Sequence, residues 1–114
     1  MKENDFVKER NRLTELALSK ANLDIRRFYS LDTATYKDGA LDAKTKEMLG
    51  LVASMVLRCD DCIRYHLGQC YQLQVSDAEL QDVFAVALVV GGSIVIPHHR
   101  RAMEYWEELK EARA

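Results

Sequence analysis

Apolar residues recur along this chain at helical intervals, and short polar clusters mark the breaks between them. Over residues 5–21, Phe6, Leu13, Leu16, Ala17 and Ala21 alternate with Lys8, Glu9, Arg10, Arg12 and Glu15. That spacing predicts a helix with a charged outer face. Asn22 and Asp24 break and recap it, and Asp24 opens a second short helix with Ile25, Phe28 and Leu31 on its inner side. Tyr36-Lys37-Asp38-Gly39 reads as a turn, with Gly39 free to take positive φ. Asp42 then caps a third helix, and Leu41 is placed to close over its first turn.

From Met48 to Leu57 the third helix is apolar on almost every side. Such a helix is buried, either in a large core or between subunits, and in a chain of this length the second option is attractive. A break is expected near Cys59, with a fourth helix from about Asp61 to Leu73. Ser76 and Glu79 have the spacing of a capping box, and Val75 with Leu80 that of a hydrophobic staple. The fifth helix runs to Val90, again apolar nearly all round, and Gly91-Gly92 interrupts it. Pro97 kinks or restarts the last helix, which ends amphipathic with Met103, Trp106 and Leu109 on one face. The pattern predicts an all-α fold, a compact bundle of about six helices, with residues 1–114 forming one domain.

Composition supports this and narrows the function. A single proline and five glycines among 114 residues favour long helices over strands and turns. A formal charge of −2 leaves no electrostatic footprint for nucleic acid. The longest apolar run, from Val83 to Val90, is too short to span a bilayer, so no membrane partner is expected. The charged N-terminus has no apolar signal core, which makes the cytoplasm the expected compartment. In a reducing compartment a Cys-x-x-Cys is more often catalytic or metal-binding than a structural staple.

That motif is the chemical centre of the sequence: Arg58-Cys59-Asp60-Asp61-Cys62-Ile63-Arg64-Tyr65-His66. Cysteines three apart at a helix start have Cα atoms roughly 5–6 Å apart, within disulfide range. The helix N-terminus favours a thiolate, and His66, four residues after Cys62, lies one turn away on the same face. An imidazole there can take the thiol proton. Glu47, on an otherwise apolar stretch, needs a partner and is placed to orient His66. Against this, Asp60 and Asp61 put negative charge beside both sulfurs, which raises a thiol pKa. Cys70, roughly 12 Å along the helix from Cys62, reads as a small buried hydrophobe.

Cys59, Cys62, His66 and Cys70 also approach a zinc-knuckle spacing. On a continuous helix the outer two are about 16 Å apart, too far for one tetrahedral ion. Zinc held by a subset of these residues, across a subunit boundary, stays open as an alternative, as does a redox sensor without turnover. No metal and no cofactor is expected for the catalytic reading. His98-His99-Arg100-Arg101 reads as a basic surface turn, with substrate or subunit contacts as the minor alternative.

Three stretches together, Gly39 to Leu49, Cys59 to His66 and Val90-Gly91-Gly92-Ser93, resemble the carboxymuconolactone decarboxylase-like superfamily, and within it the alkyl hydroperoxidase D-type branch. The similarity runs from about residue 25 to 106. The resemblance implies small all-α subunits assembled as homo-oligomers, trimers or hexamers. It implies an antioxidant thiol oxidoreductase that reduces a hydroperoxide or disulfide substrate. Its electrons would come from a thiol donor protein or a lipoamide-type dithiol. Carried over, Cys62 would attack, Cys59 would resolve, and Glu47 with His66 would relay protons. The branch often has histidine just before its second cysteine, where this chain has Asp61. The lactone decarboxylase reaction itself has no evident need for a vicinal dithiol.

Overall fold

The computed structural model describes residues 2–113. Among them are six α-helices and one short 3-10 turn: α1 Glu3–Ser19, α2 Leu23–Thr35, α3 Ala43–Val56, α4 Asp60–Gln72, α5 Asp77–Gly91, the turn Ser93–Val95, and α6 Ile96–Arg113. The described residues contain no strand. The fold is all-α, as the periodicity predicts.

The starts of α2, α3 and α5 satisfy orphan backbone amides with side chains that the sequence makes legible. Asn22 caps α2 by accepting from Ile25 N–H at 3.0 Å, so the cap lies two residues before the expected Asp24. Asp42 caps α3 through Thr45 N–H at 2.8 Å. Ser76 and Glu79 form the reciprocal capping box of α5, worth about 1 kcal/mol. Val75 and Leu80 are both buried, as a staple requires. Pro97 falls in the first turn of α6, where its missing N–H costs nothing, and the chain restarts there instead of kinking.

Gly39 does not take positive φ; among glycines only Gly92 does, at 83°. The 36–42 turn is held by polar contacts instead. Asp38 accepts from Ala43 N–H at 2.7 Å, and Lys46 Nζ donates to the carbonyls of Thr35 and Lys37. Left-handed backbone appears instead at Arg58 (φ 59°) and Gln74 (φ 65°), just past the ends of α3 and α4. There Cys59 N–H reaches Ser54 O and Val75 N–H reaches Cys70 O, both at 3.0 Å, closing the helix ends.

α3 packs between α4 and α5, while α6 lies along α4 and also packs against α1. Leu51 and Met55 of α3, Ile63, Leu67 and Cys70 of α4, Phe84 and Ala87 of α5, and Trp106 and Leu109 of α6 meet in one core. The first two helices differ from expectation. Phe6 is buried against Tyr105, but Leu13 and Leu16 are about half exposed. α2 buries no residue at all, and Ile25, Phe28 and Leu31, expected on an inner side, face away from the core. The outer faces of α3 and α5 are likewise open at Leu49, Leu57, Val86 and Val89. Leu41 is also exposed. No helix is long and apolar enough to cross a membrane among the described residues.

Candidate active site

The site is built where α3 ends and α4 begins. The left-handed step at Arg58 turns the chain sharply, so Cys59 becomes the N-cap of α4 with its Sγ accepting from Cys62 N–H at 3.3 Å. The cap is therefore the cysteine itself, and neither aspartate takes that role. Cys59 and Cys62 are disulfide-bonded, with Cα atoms 5.3 Å apart. Cys59 is partly covered and Cys62 is exposed.

One helical turn beyond Cys62, His66 is buried and meets Glu47. Its Nδ1 lies 2.7 Å from Glu47 Oε1. An ionised Glu47 accepts from Nδ1–H, which leaves Nε2 as the free acceptor of the ring. Glu47 is 3% exposed, so its carboxyl is sealed from water and His66 is its hydrogen-bonding partner. The tyrosines at 36 and 65 flank the imidazole, with ring centroids 5.2 and 5.3 Å from it. Burial, then the nearby charge of Glu47, pushes both phenols above their ordinary value.

Gly50 is a site residue that the sequence reading missed. A Cβ on it would stand 2.7 Å from His66 Cε1 and 2.9 Å from the Tyr36 hydroxyl. It lies three residues after Glu47, on the same face of α3, so the carboxylate and the space for the ring come from one helical turn. A glycine at i+3 from a buried glutamate is the signal that was available.

His98 and Arg101 correct a second expectation. They do not form a free basic surface turn. His98 Nδ1 lies 2.8 Å from Asp60 Oδ1, and Arg101 Nη2 lies 3.1 Å from Asp60 Oδ2. Burial pushes the Asp60 carboxyl up, but the hydrogen bonds and charges of His98 and Arg101 outweigh it and hold the group below its ordinary value. His99 turns the other way and sets its edge against Phe84, 4.9 Å between centroids. Of the two aspartates feared to oppose thiolate formation, Asp60 is thus counterbalanced and Asp61 is exposed.

A groove of about 500 Å³ opens over Cys62, between α1, α2 and α4. Cys62, His66 and Tyr65 form its floor, and Phe6, Arg10, Leu13 and Tyr29 line its walls. The Arg10 guanidinium sits 4.1 Å above the Tyr65 ring, a cation–π contact. Cys70 lies apart in the core, fully buried, and burial followed by the charge of Glu47 pushes its thiol up to about 12. That makes it inert, in keeping with its reading as a small hydrophobe.

Comparison with known proteins bears on the fold and the family. Residues 25–112 match the Carboxymuconolactone decarboxylase family. A crystal structure of a Thermotoga maritima protein superposes with a TM-score of 0.93 at 57% identity, covering 95% of each chain. A second crystal structure from that organism (TM-score 0.90, 57% identity, 94% and 91% coverage) is described as a carboxymuconolactone decarboxylase family protein and a candidate for the antioxidative response. A family member from Legionella pneumophila gives a TM-score of 0.70 at 31% identity over 93% of this chain and 88% of that one. An uncharacterized protein of Cupriavidus necator is 27% identical over 106 residues, 88% of this chain and 94% of its own length. The matched segment starts after α1, so Phe6, Arg10 and Leu13 of the groove lie outside it.

Proposed function

Because this chain belongs to the carboxymuconolactone decarboxylase family, we propose that it serves there as an alkyl hydroperoxidase D-type thiol oxidoreductase. In this reading residues 1–114 act as a single domain of a homo-oligomer in a reducing cytoplasm. One observation carries the proposal: Cys62, disulfide-bonded to Cys59, shares the floor of a groove with His66, whose ring is held from behind by Glu47. The antioxidative description of the Thermotoga maritima relative supports the same direction.

The chemistry follows from position. In the dithiol state His66 Nε2 takes the proton of Cys62, and Glu47 stabilises the resulting imidazolium. The Cys62 thiolate attacks the terminal oxygen of a hydroperoxide. The O–O bond breaks, an alcohol leaves with the proton returned by His66, and Cys62 becomes a sulfenic acid. Cys59 then attacks that sulfur, water departs, and the disulfide forms. A dithiol donor restores the pair by exchange, becoming a disulfide itself. Cys62 suits the attacking role because it is exposed to the groove, and Cys59 the resolving role because it is partly covered at the cap. The apolar walls supplied by Phe6, Leu13 and Tyr29 favour an organic hydroperoxide over hydrogen peroxide. The exposed faces of α2, α3 and α5 are the surfaces a second copy would cover.

The test is dithiol-dependent consumption of cumene hydroperoxide by wild type, Cys62→Ser and Cys59→Ser. Loss of turnover by about 100-fold or more is expected for Cys62→Ser. Equal rates in wild type and Cys62→Ser overturn the proposal.

A further inference from the structure

We propose that Asp60, His98 and Arg101 form a charge-balanced clamp that positions the first turn of α4 and sets the dithiol–disulfide equilibrium of Cys59 and Cys62. The inference rests on the redox reading of that pair. Asp60 directly follows the capping cysteine and is the first residue of α4. Its two carboxylate oxygens are taken by two different side chains of α6, His98 at 2.8 Å and Arg101 at 3.1 Å. Those two side chains lie three residues apart, on one face of α6, with Arg101 Nη2 3.2 Å from His98 Nδ1. The contact spans 38 residues of sequence and ties the start of α4 to the start of α6.

A carboxylate at this place has two effects of opposite sign. It complements the N-terminus of α4 and anchors the turn that presents the cysteines. Unpaired, it would also repel a thiolate on either sulfur. The Arg101 guanidinium offsets the charge while His98 holds the other oxygen, which keeps the anchor and cancels the repulsion. Dithiol–disulfide pairs whose reduced, ionised form is stabilised are the stronger oxidants. The balance of charge at Asp60 therefore moves the equilibrium in a direction that can be foreseen. Glu9, Arg10, Asp32 and Asp61 line the groove with Cys62 and His66, Glu47 lies behind His66, and Arg58 directly precedes Cys59. They remain the same in every variant below.

The experiment equilibrates the full-length protein in glutathione and dithiothreitol redox buffers at pH 7, traps free thiols by alkylation and weighs the products. The reaction read is disulfide plus two thiols giving dithiol plus the reagent's own disulfide. Asp60→Asn leaves the Arg101 charge uncompensated and is expected to shift the equilibrium about three- to tenfold towards dithiol, roughly 15–30 mV. Arg101→Met leaves the carboxylate underpaired and is expected to shift it about as far towards disulfide. Arg101→Lys restores the wild-type value within about a factor of two. A clamp that merely held the helix in place would move Asp60→Asn and Arg101→Met the same way. Shifts of one sign, or none, overturn the inference. Arg101→Gln, which keeps donors without the charge, serves where Arg101→Met does not fold. A wild-type pair that exchanges with neither reagent sinks the redox reading itself, and the inference with it.

Discussion

The disulfide is flanked by two histidine–carboxylate pairs built from the same chemistry and placed in different solvents. Glu47 and His66, 2.7 Å apart, are both buried, with Glu47 only 3% exposed. Asp60 and His98, 2.8 Å apart, lie nearer the surface, with the Asp60 side chain 38% exposed and Arg101 beside it. Burial makes the first pair interdependent. Removing one partner strands the other in a dry place, which costs several kcal/mol in general. The second pair is screened by water and shared among three groups, so it acts as an adjustable local charge. The lesson is that distance alone does not say what an ion pair is for. The dry pair suits proton transfer, where a fixed geometry and an unshared proton matter. The wet one suits tuning.

The hardest test of this contrast is to displace the buried ring without touching its charge. Gly50→Ala puts a methyl group where His66 Cε1 and the Tyr36 hydroxyl now stand. Peroxide turnover should fall about 100-fold, while overpacking lowers stability by about 1–3 kcal/mol. Glu47→Gln should lose a similar factor, and the double variant little more than either alone, because the groups act as a unit. Additive losses measured in hydroperoxide assays would break the comparison.

A smaller effect sharpens the other side. The Asp60 carboxyl is held below its ordinary value of 3.8 by His98 and Arg101 against the opposing effect of burial. A depressed folded-state pKa gives stability that is fully present above the unfolded value and lost as pH falls through the folded one. Acid unfolding followed by circular dichroism should therefore show Asp60→Asn departing from wild type above the ordinary carboxylate value and converging on it as pH falls through the depressed folded value. A difference that persists unchanged to pH 2 would mean the clamp contributes through packing and not through charge.

The smallest expected change concerns the step that joins the two pairs. Arg58 holds a left-handed backbone between α3, which carries Glu47, and Cys59, which caps α4. Arg58→Gly should raise stability by up to about 1 kcal/mol by relieving that conformation. Urea unfolding reads it directly. A loss of stability would show that the Arg58 side chain matters more than its φ.

Much of this was legible in the chain. The helix starts at Asp42 and Ser76 follow from short-range hydrogen bonding, and the Cys59/Cys62/His66 stripe follows from the pitch of one helix. Glu47 was legible for a different reason: a carboxylate on an apolar helix needs a partner, and few are on offer. His98 and Arg101 were misread because a charged residue after a proline is usually solvated. Only the approach of α6 to α4 brings them onto Asp60. Gly50 was missed because a glycine inside a helix carries no signal of which ring fills the space beside it.

The apolar stripes of α1 and α2 show the limit most clearly. Periodicity establishes that Leu13, Ile25, Phe28 and Leu31 share sides of their helices, since this depends only on helical pitch. It does not establish what covers them, because burial is decided by what lies across the gap. What the sequence by itself determined is therefore the local: six helices, their caps, and two sulfurs within bonding reach. What only the tertiary structure decided is which groups from distant turns share a charge or a proton. Those pairings depend on how helices cross, and crossing is set by the whole core at once.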